Sequence, residues 1–185
     1  MNLNKVHNIY FIGIGGIGMS ALARFFLAMG KSVAGYDKTA SPLTKLLIQE
    51  GIDLSYEDHP ESIPVEIREN QKESLIIYTP AIPNDSAILN YFVLKGYEVK
   101  KRAEVLGMVT EESINLSVAG THGKTTTSCM LAAIFRASHL KFTAFLGGIS
   151  ADLGSNFFHR EGEGPHYSIS EADEFDRSFL KLNPL

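Results

Sequence analysis

Gly13-Ile14-Gly15-Gly16-Ile17-Gly18 fits the pattern G-x-G-x-x-G, and Asp37 follows nineteen residues after the last of these glycines. Glycines at that spacing permit a tight turn and a close backbone approach, so that amides at a helix start can meet a pyrophosphate while a carboxylate takes a ribose hydroxyl. The candidate ligand-binding residues are therefore Gly13, Gly15, Gly16, Ile17, Gly18 and Asp37. The chemistry points to a nucleotide diphosphate without choosing among NAD, FAD and a UDP-sugar, which share both groups. The competing reading is a glycine-rich packing turn that binds nothing.

A second stretch, Val118-Ala119-Gly120-Thr121-His122-Gly123-Lys124-Thr125-Thr126-Thr127, ends in Gly-Lys-Thr. In a phosphate-binding loop the backbone amides cradle phosphates, the lysine reaches the terminal phosphates and the next hydroxyl holds magnesium. The strict G-x-x-x-x-G-K-[ST] spacing fails, because it would need glycine at Val118; the loop is a variant with Gly120 three residues before Gly123. A third stretch, Glu171-Ala172-Asp173-Glu174-Phe175-Asp176, follows the apolar run Tyr167 to Ile169 and gathers carboxylates at a strand end. Hard oxygen ligands there suit Mg²⁺ bridging ATP phosphates. A solvated acidic turn is the alternative, and the position some fifty residues after a phosphate loop is what favours the metal.

The elements that must position these residues follow from apolar runs and punctuation. Asn8 to Ile12 reads as a buried strand, Met19, Leu22, Phe26 and Met29 recur at helical spacing, and Gly30 closes that helix. Ser32 to Tyr36 is a second strand; Ser41-Pro42 caps a helix that Gly51 ends. Ser74 to Tyr78 is another strand, Asn84 or Asp85 caps a helix to about Lys95, and a short strand lies near Tyr97 to Val99. Strands too apolar to be half exposed, alternating with helices, predict an α/β fold with a Rossmann-like parallel sheet. The polar stretch Thr110 to Asn115 marks a boundary, after which strand Ile114 to Val118 and a helix from about Lys124 to Ser138 restart the pattern. The expected division is a domain over 1–110 and the beginning of a P-loop ATPase-type α/β domain over 111–185.

Composition narrows the classes. A net charge of −4 supplies no basic patch for nucleic acid. The apolar run Ile9 to Gly30 mimics a signal peptide or membrane span, but four glycines in its first half and Arg24 in its middle speak for strand, turn and helix instead. One cysteine, Cys129, cannot form an intramolecular disulfide, which fits a reducing compartment. A cytoplasmic protein without nucleic-acid or membrane partners is the expectation.

Taken together, Ile12-Gly13-Ile14-Gly15-Gly16-Ile17-Gly18-Met19-Ser20-Ala21, Ala119 to Thr127 and Glu171-Ala172-Asp173-Glu174 resemble the Mur ligase family, in order and over essentially the whole chain. Lys101-Arg102-Ala103-Glu104 belongs to the same likeness, and the short glycine spacing of the second loop is what that family shows. The first loop resembles that of the branch that adds L-alanine to UDP-N-acetylmuramate, in peptidoglycan precursor synthesis. The resemblance implies ATP and Mg²⁺ as cofactors and an acyl phosphate on the lactyl carboxylate, which the amine of L-alanine attacks. It implies that Gly120, Thr121, His122, Gly123, Lys124, Thr125 and Thr126 form the ATP site, with Lys124 stabilising the transferring phosphoryl and Thr125 and Glu171 binding magnesium. His122 has two readings, a phosphate contact or packing, and Thr126 is either a substrate contact or a helix-start hydroxyl. The first loop would then take the UDP pyrophosphate, with Asp37 at the ribose. Family members have three domains, so the resemblance also implies that these 185 residues alone do not ligate. Two other functions compete. A nicotinamide-dependent oxidoreductase explains Gly13 to Gly18 and Asp37 but leaves the second loop idle, and a non-catalytic UDP-sugar-binding module needs only the first domain.

Overall fold

The computed structural model describes residues 3–150 and 154–172. It divides into two compact units, Met1–Arg102 and Ala103–Leu185. The first contains β1 (Asn8–Ile12), α1 (Ile17–Ala28), β2 (Ser32–Tyr36), α2 (Pro42–Gln49), β3 (Asp53–Ser55), α3 (Val65–Glu69), β4 (Ser74–Tyr78), α4 (Ala87–Leu94) and β5 (Glu98–Lys101). All pairings are parallel, in the order β3-β2-β1-β4-β5. β1 is central and buried at every residue, as its unbroken apolar run requires of a strand covered on both faces. Because the chain leaves β1 towards β2 on one side and returns to β4 on the other, the strand order reverses beside β1. In open parallel sheets ligands bind at the carboxyl ends of the strands at that reversal.

Side chains on β1 alternate between the two faces. Tyr10 and Ile12 join Ile63, Ile67, Ile76, Ile88, Phe92 and Tyr97 in one core. Phe11 points the other way, its ring centroid 6.4 Å from that of Phe26 on α1. Helix starts follow local chemistry. Ser41 accepts from Thr44 N at 3.2 Å while Thr44 Oγ1 accepts from Ser41 N at 2.8 Å, a reciprocal cap with Pro42 at the first helical position. α4 begins one or two residues later than the sequence suggested, because Ser86 rather than Asn84 or Asp85 is the cap. Asp58, remote in sequence, also accepts from Ser86 Oγ at 3.0 Å and Ile88 N at 2.9 Å, so a carboxylate faces the positive end of that helix. The strand β3 and the helix α3 were not legible from periodicity; both are too short to show a period.

The second unit carries α5 (Arg102–Thr110, its first residue at the join), β6 (Ile114–Val118), α6 (Lys124–Ala137), β7 (Leu140–Phe145), β8 (Phe157–Arg160) and β9 (Glu163–Glu171). The division therefore falls before α5, earlier than the polar stretch that suggested residue 110, since that stretch is only the turn between α5 and β6. Strand order is β6-β9-β7-β8, parallel except for the antiparallel β7 and β8 pair. One face of this sheet is apolar: Ala132 of α6, Phe142, Ala144 and Ile169 form its core, with Phe135 and Tyr167 against it. The other face is lined with hydroxyls. Ser113 Oγ donates to Ser168 Oγ at 2.7 Å and Ser170 Oγ to Asn115 Oδ1 at 3.1 Å. At the carbonyl end of α6, the Arg160 guanidinium donates to Phe135 O (3.0 Å), Arg136 O (2.8 Å), Leu140 O (2.9 Å) and Ser138 O, placing a cation on the negative end of the helix. No helix among the described residues is long and apolar enough to cross a membrane.

Two expectations follow. Phe92 is fully buried against Tyr10, Tyr91 and Tyr97, so Phe92→Ala should destabilise the first unit by about 3 to 5 kcal/mol, read as a fall in the midpoint of its thermal or urea unfolding. In the second unit, Thr143 Oγ1 lies 2.9 Å from both His159 Nδ1 and His166 Nε2. A single hydroxyl proton that donates to one ring while accepting from the other needs at least one ring neutral. Burial, helped by the charges of Lys141 and His159, holds His166 below its ordinary 6.5. The unfolded chain thus takes up this proton first, so the stability of the unit is intact above about pH 6.5 and falls as the pH drops through that value. Unfolding midpoints at pH 8 and 5.5 should differ, and His166→Gln should shrink the difference.

Candidate functional site

Two glycine-containing loops between a strand and a helix are present, one in each unit. In the first unit the glycine loop runs from the carboxyl end of β1 into α1. Gly13 has φ +87°, a left-handed conformation that disfavours side chains, and its N–H donates to Tyr36 O at 2.8 Å. A Cβ on Gly13 would stand 2.8 Å from Thr79 Cγ2, just past the end of β4, so the loops after β1 and β4 meet where the strand order reverses. Gly16, the N-cap of α1, is exposed and supplies no side-chain cap, and Ile17 beside it is also exposed. The helix start therefore carries no side-chain cap, as an anion site requires.

Asp37 closes over this loop rather than standing clear of it. Its Oδ2 accepts from Gly15 N at 2.7 Å and its Oδ1 from Thr39 N at 3.0 Å. A Cβ on Gly15 would lie 2.8 Å from both Asp37 Oδ2 and Thr44 Cγ2, so glycine is needed there for space. The carboxylate placed at a ribose by the sequence reading thus also fixes the conformation of the loop. Arg102, which the motif search did not single out as a site residue, packs its guanidinium on Gly18, with Nη1 2.9 Å from where a Cβ would be. Its position immediately after β5, at the carboxyl edge of a parallel sheet, was the available signal.

In the second unit, β6 ends at Val118 and the loop enters α6 through Gly123, whose φ of +77° puts it in the left-handed region. Gly120, at φ +146°, turns the same way. Lys124 Nζ donates back to Gly120 O at 2.8 Å, which holds the ammonium over the loop it belongs to. Thr121, His122 and Thr126 are exposed. The acidic strand end reaches this loop through sheet register. β6 and β9 are parallel neighbours, Val118 pairs with Glu171, and Ala172 N donates to Val118 O at 3.0 Å. Glu171 is thereby set beside the start of α6. Thr125 Oγ1 donates to Glu171 Oε2 at 3.1 Å and Gly147 N to Glu171 Oε1 at 2.7 Å. Asp173, Glu174 and Asp176, which the sequence grouped with Glu171, lie outside the described residues.

The Thr125 and Glu171 oxygens fit a magnesium ion by an independent criterion. Adjacent ligands of an octahedral Mg²⁺ at about 2.1 Å are roughly 3 Å apart, and these two oxygens are separated by 3.1 Å. Among the described residues no group of three or more His, Cys, Asp or Glu side chains is placed to hold a metal. One carboxylate and one hydroxyl are what Mg²⁺ uses when phosphates and water complete its shell.

The family model described as Mur ligase family, catalytic domain, matches residues 8–113. The UDP-N-acetylmuramate--L-alanine ligase of Christiangramia forsetii is 52% identical over 183 residues, covering 99% of this chain and 40% of that protein. The protein of the same name from Flavobacterium psychrophilum is 54% identical over 184 residues, again covering 40% of its length. This chain thus spans about 40% of the curated relatives it matches. Among solved structures, the UDP-N-acetylmuramate-alanine ligase of Thermotoga maritima superposes with a TM-score of 0.78 at 29% identity, over 96% of this chain and 39% of that one. The UDP-N-acetylmuramate:L-alanyl-gamma-D-glutamyl-meso-diaminopimelate ligase of Neisseria meningitides gives 0.82 at 26% identity, over 97% and 58%. With a family match over more than half of its residues and relatives at this identity over nearly all of them, the chain belongs to the Mur ligase family.

Proposed function

We propose that this chain supplies the UDP-sugar site and much of the ATP loop of a ligase that joins L-alanine to UDP-N-acetylmuramate. The observation that carries the reading is the convergence of Lys124, Thr125 and Glu171 on one loop, set by the pairing of Val118 with Glu171. That is the equipment of phosphoryl transfer, and an oxidoreductase would leave it unused. The substrates follow from relatives at about half identity that carry the name UDP-N-acetylmuramate--L-alanine ligase.

In this reading the start of α1 faces the UDP diphosphate, while the Gly13 to Gly16 amides, bonded to Tyr36 O, Asp37 and Gly13 O, and the Asp37 carboxylate keep the loop in shape near the ribose. Gly120, Thr121, His122 and Gly123 wrap the phosphates of ATP, with Thr126 on the first turn of α6. The lactyl carboxylate takes the terminal phosphoryl to become an acyl phosphate, and the amine of L-alanine displaces phosphate to form the amide. Lys124 swings from Gly120 O to the transferring phosphoryl and neutralises charge that builds there. Mg²⁺, when bound, screens the phosphate oxygens; Thr125 and Glu171 are the residues that hold it.

Calorimetric titration with UDP-N-acetylmuramate, and with NADH in parallel, tests the first site. The UDP-sugar should bind and NADH should not; NADH binding alone would move the oxidoreductase reading to the front. Asp37→Ala should weaken UDP-sugar binding by about tenfold, through loss of a preformed loop, and leave binding of an ATP analogue unchanged. Lys124→Ala in the full-length protein should lower kcat for ligation by about 10² to 10³, with UDP-sugar affinity unaltered.

A further inference from the structure

Gly147 follows β7 (Leu140–Phe145) by two residues and belongs to none of the motifs that mark the nucleotide loops. Its backbone is not in the left-handed region, unlike Gly120 and Gly123, so no conformational demand explains a glycine there. Glycine without such a demand is a cost, since it has more freedom to lose on folding than any other residue. The space its side chain would fill is occupied by the Glu171 carboxylate: a Cβ on Gly147 would lie 2.7 Å from Glu171 Cδ and 2.8 Å from Oε1, and closer still to Oε2. The Gly147 N–H meanwhile donates to Oε1 at 2.7 Å. The next residue, Gly148, lies against the Thr125 methyl, with a Cβ there 3.0 Å from Thr125 Cγ2.

We infer that Gly147 is a positioning residue for the magnesium ion, holding Glu171 by Oε1 so that Oε2 faces Thr125 at the separation of two adjacent metal ligands. The inference rests on the reading of the second loop as a Mg²⁺ and ATP site. A backbone N–H only donates, so this bond does not compete with the cation, whereas the Thr125 hydroxyl must turn its proton away from Oε2 to offer a lone pair. A charge-assisted bond to a fixed amide also selects one carboxylate rotamer before any ligand arrives.

The test is calorimetric titration of the full-length protein with a non-hydrolysable ATP analogue over a series of Mg²⁺ concentrations. In Gly147→Ala the Mg²⁺ needed for half-maximal enhancement of binding should rise by about tenfold or more, the usual effect of losing a residue that orients a metal ligand. Affinity for the analogue without Mg²⁺ should stay within about twofold. A folded Gly147→Ala with the wild-type Mg²⁺ dependence overturns the inference alone, while a wild-type protein whose analogue binding ignores Mg²⁺ overturns the underlying reading and the inference with it. Should Gly147→Ala not fold, the wild-type amide proton of Gly147 decides. It should shift when Mg²⁺ joins the analogue, and exchange with solvent about tenfold faster in Glu171→Ala; an unmoved resonance with unchanged exchange overturns the proposal.

Discussion

Parallel pairing of β6 with β9 is the constraint from which the second site follows. Val118 and Glu171 are far apart in sequence, and only the ladder between their strands sets the carboxylate beside the loop that leaves β6. Side chains on a strand alternate faces, so a slip of one residue would turn Glu171 away from Thr125 and bring Ser170 or Ala172 to its place. The register is fixed on both faces at once. Ile169 and Tyr167 need the apolar side against Ala132 and Phe135, while Ser168 and Ser170 need the hydroxyls and amide of Ser113 and Asn115. Core packing and the Thr125 to Glu171 contact therefore ask for the same alignment.

The first unit reaches a similar end by other means. Its loop is shaped by a turn that only glycine tolerates at Gly13, by the carbonyl of Tyr36 and by the carboxylate of Asp37. An acidic side chain next to the proposed diphosphate site would repel its ligand if it were free to turn. Two backbone amides accommodate its charge here. The helix start is left uncovered by any capping side chain, which keeps its positive end available to a ligand.

Much of this was legible in the sequence, and the reason differs from element to element. β1, β2 and β4 are apolar runs closed by turn residues, and Ser41-Pro42 announces α2 by local chemistry alone. The glycine loops are legible because backbone freedom is a property of single residues. β7 and β8 are not legible as apolar runs: Lys141, Thr143 and His159 interrupt them, since one face of that sheet mixes hydrogen-bonding side chains with Phe145 and Phe157. Arg102 and Gly147 were missed as site residues for a related reason. Each acts through a neighbour distant in sequence, Gly18 in one case and Glu171 in the other, and spacing along the chain carries no trace of such a meeting.

The arginine clamp on the last turn of α6 changes how that helix behaves as a mechanical part. Two carbonyls of its last turn, Phe135 O and Arg136 O, are gathered together with Ser138 O of the cap and Leu140 O of β7 by one planar side chain from β8, so the terminal turn, where helices ordinarily fray, is tied to the sheet. Its opposite end carries Lys124 and Thr125. A strut anchored at its far end does not absorb a pull by unwinding; it passes the load along its length. On the proposed reading of the loop as a phosphate site, strain from ligand binding would be carried to the strand edge at β8 rather than taken up within the helix.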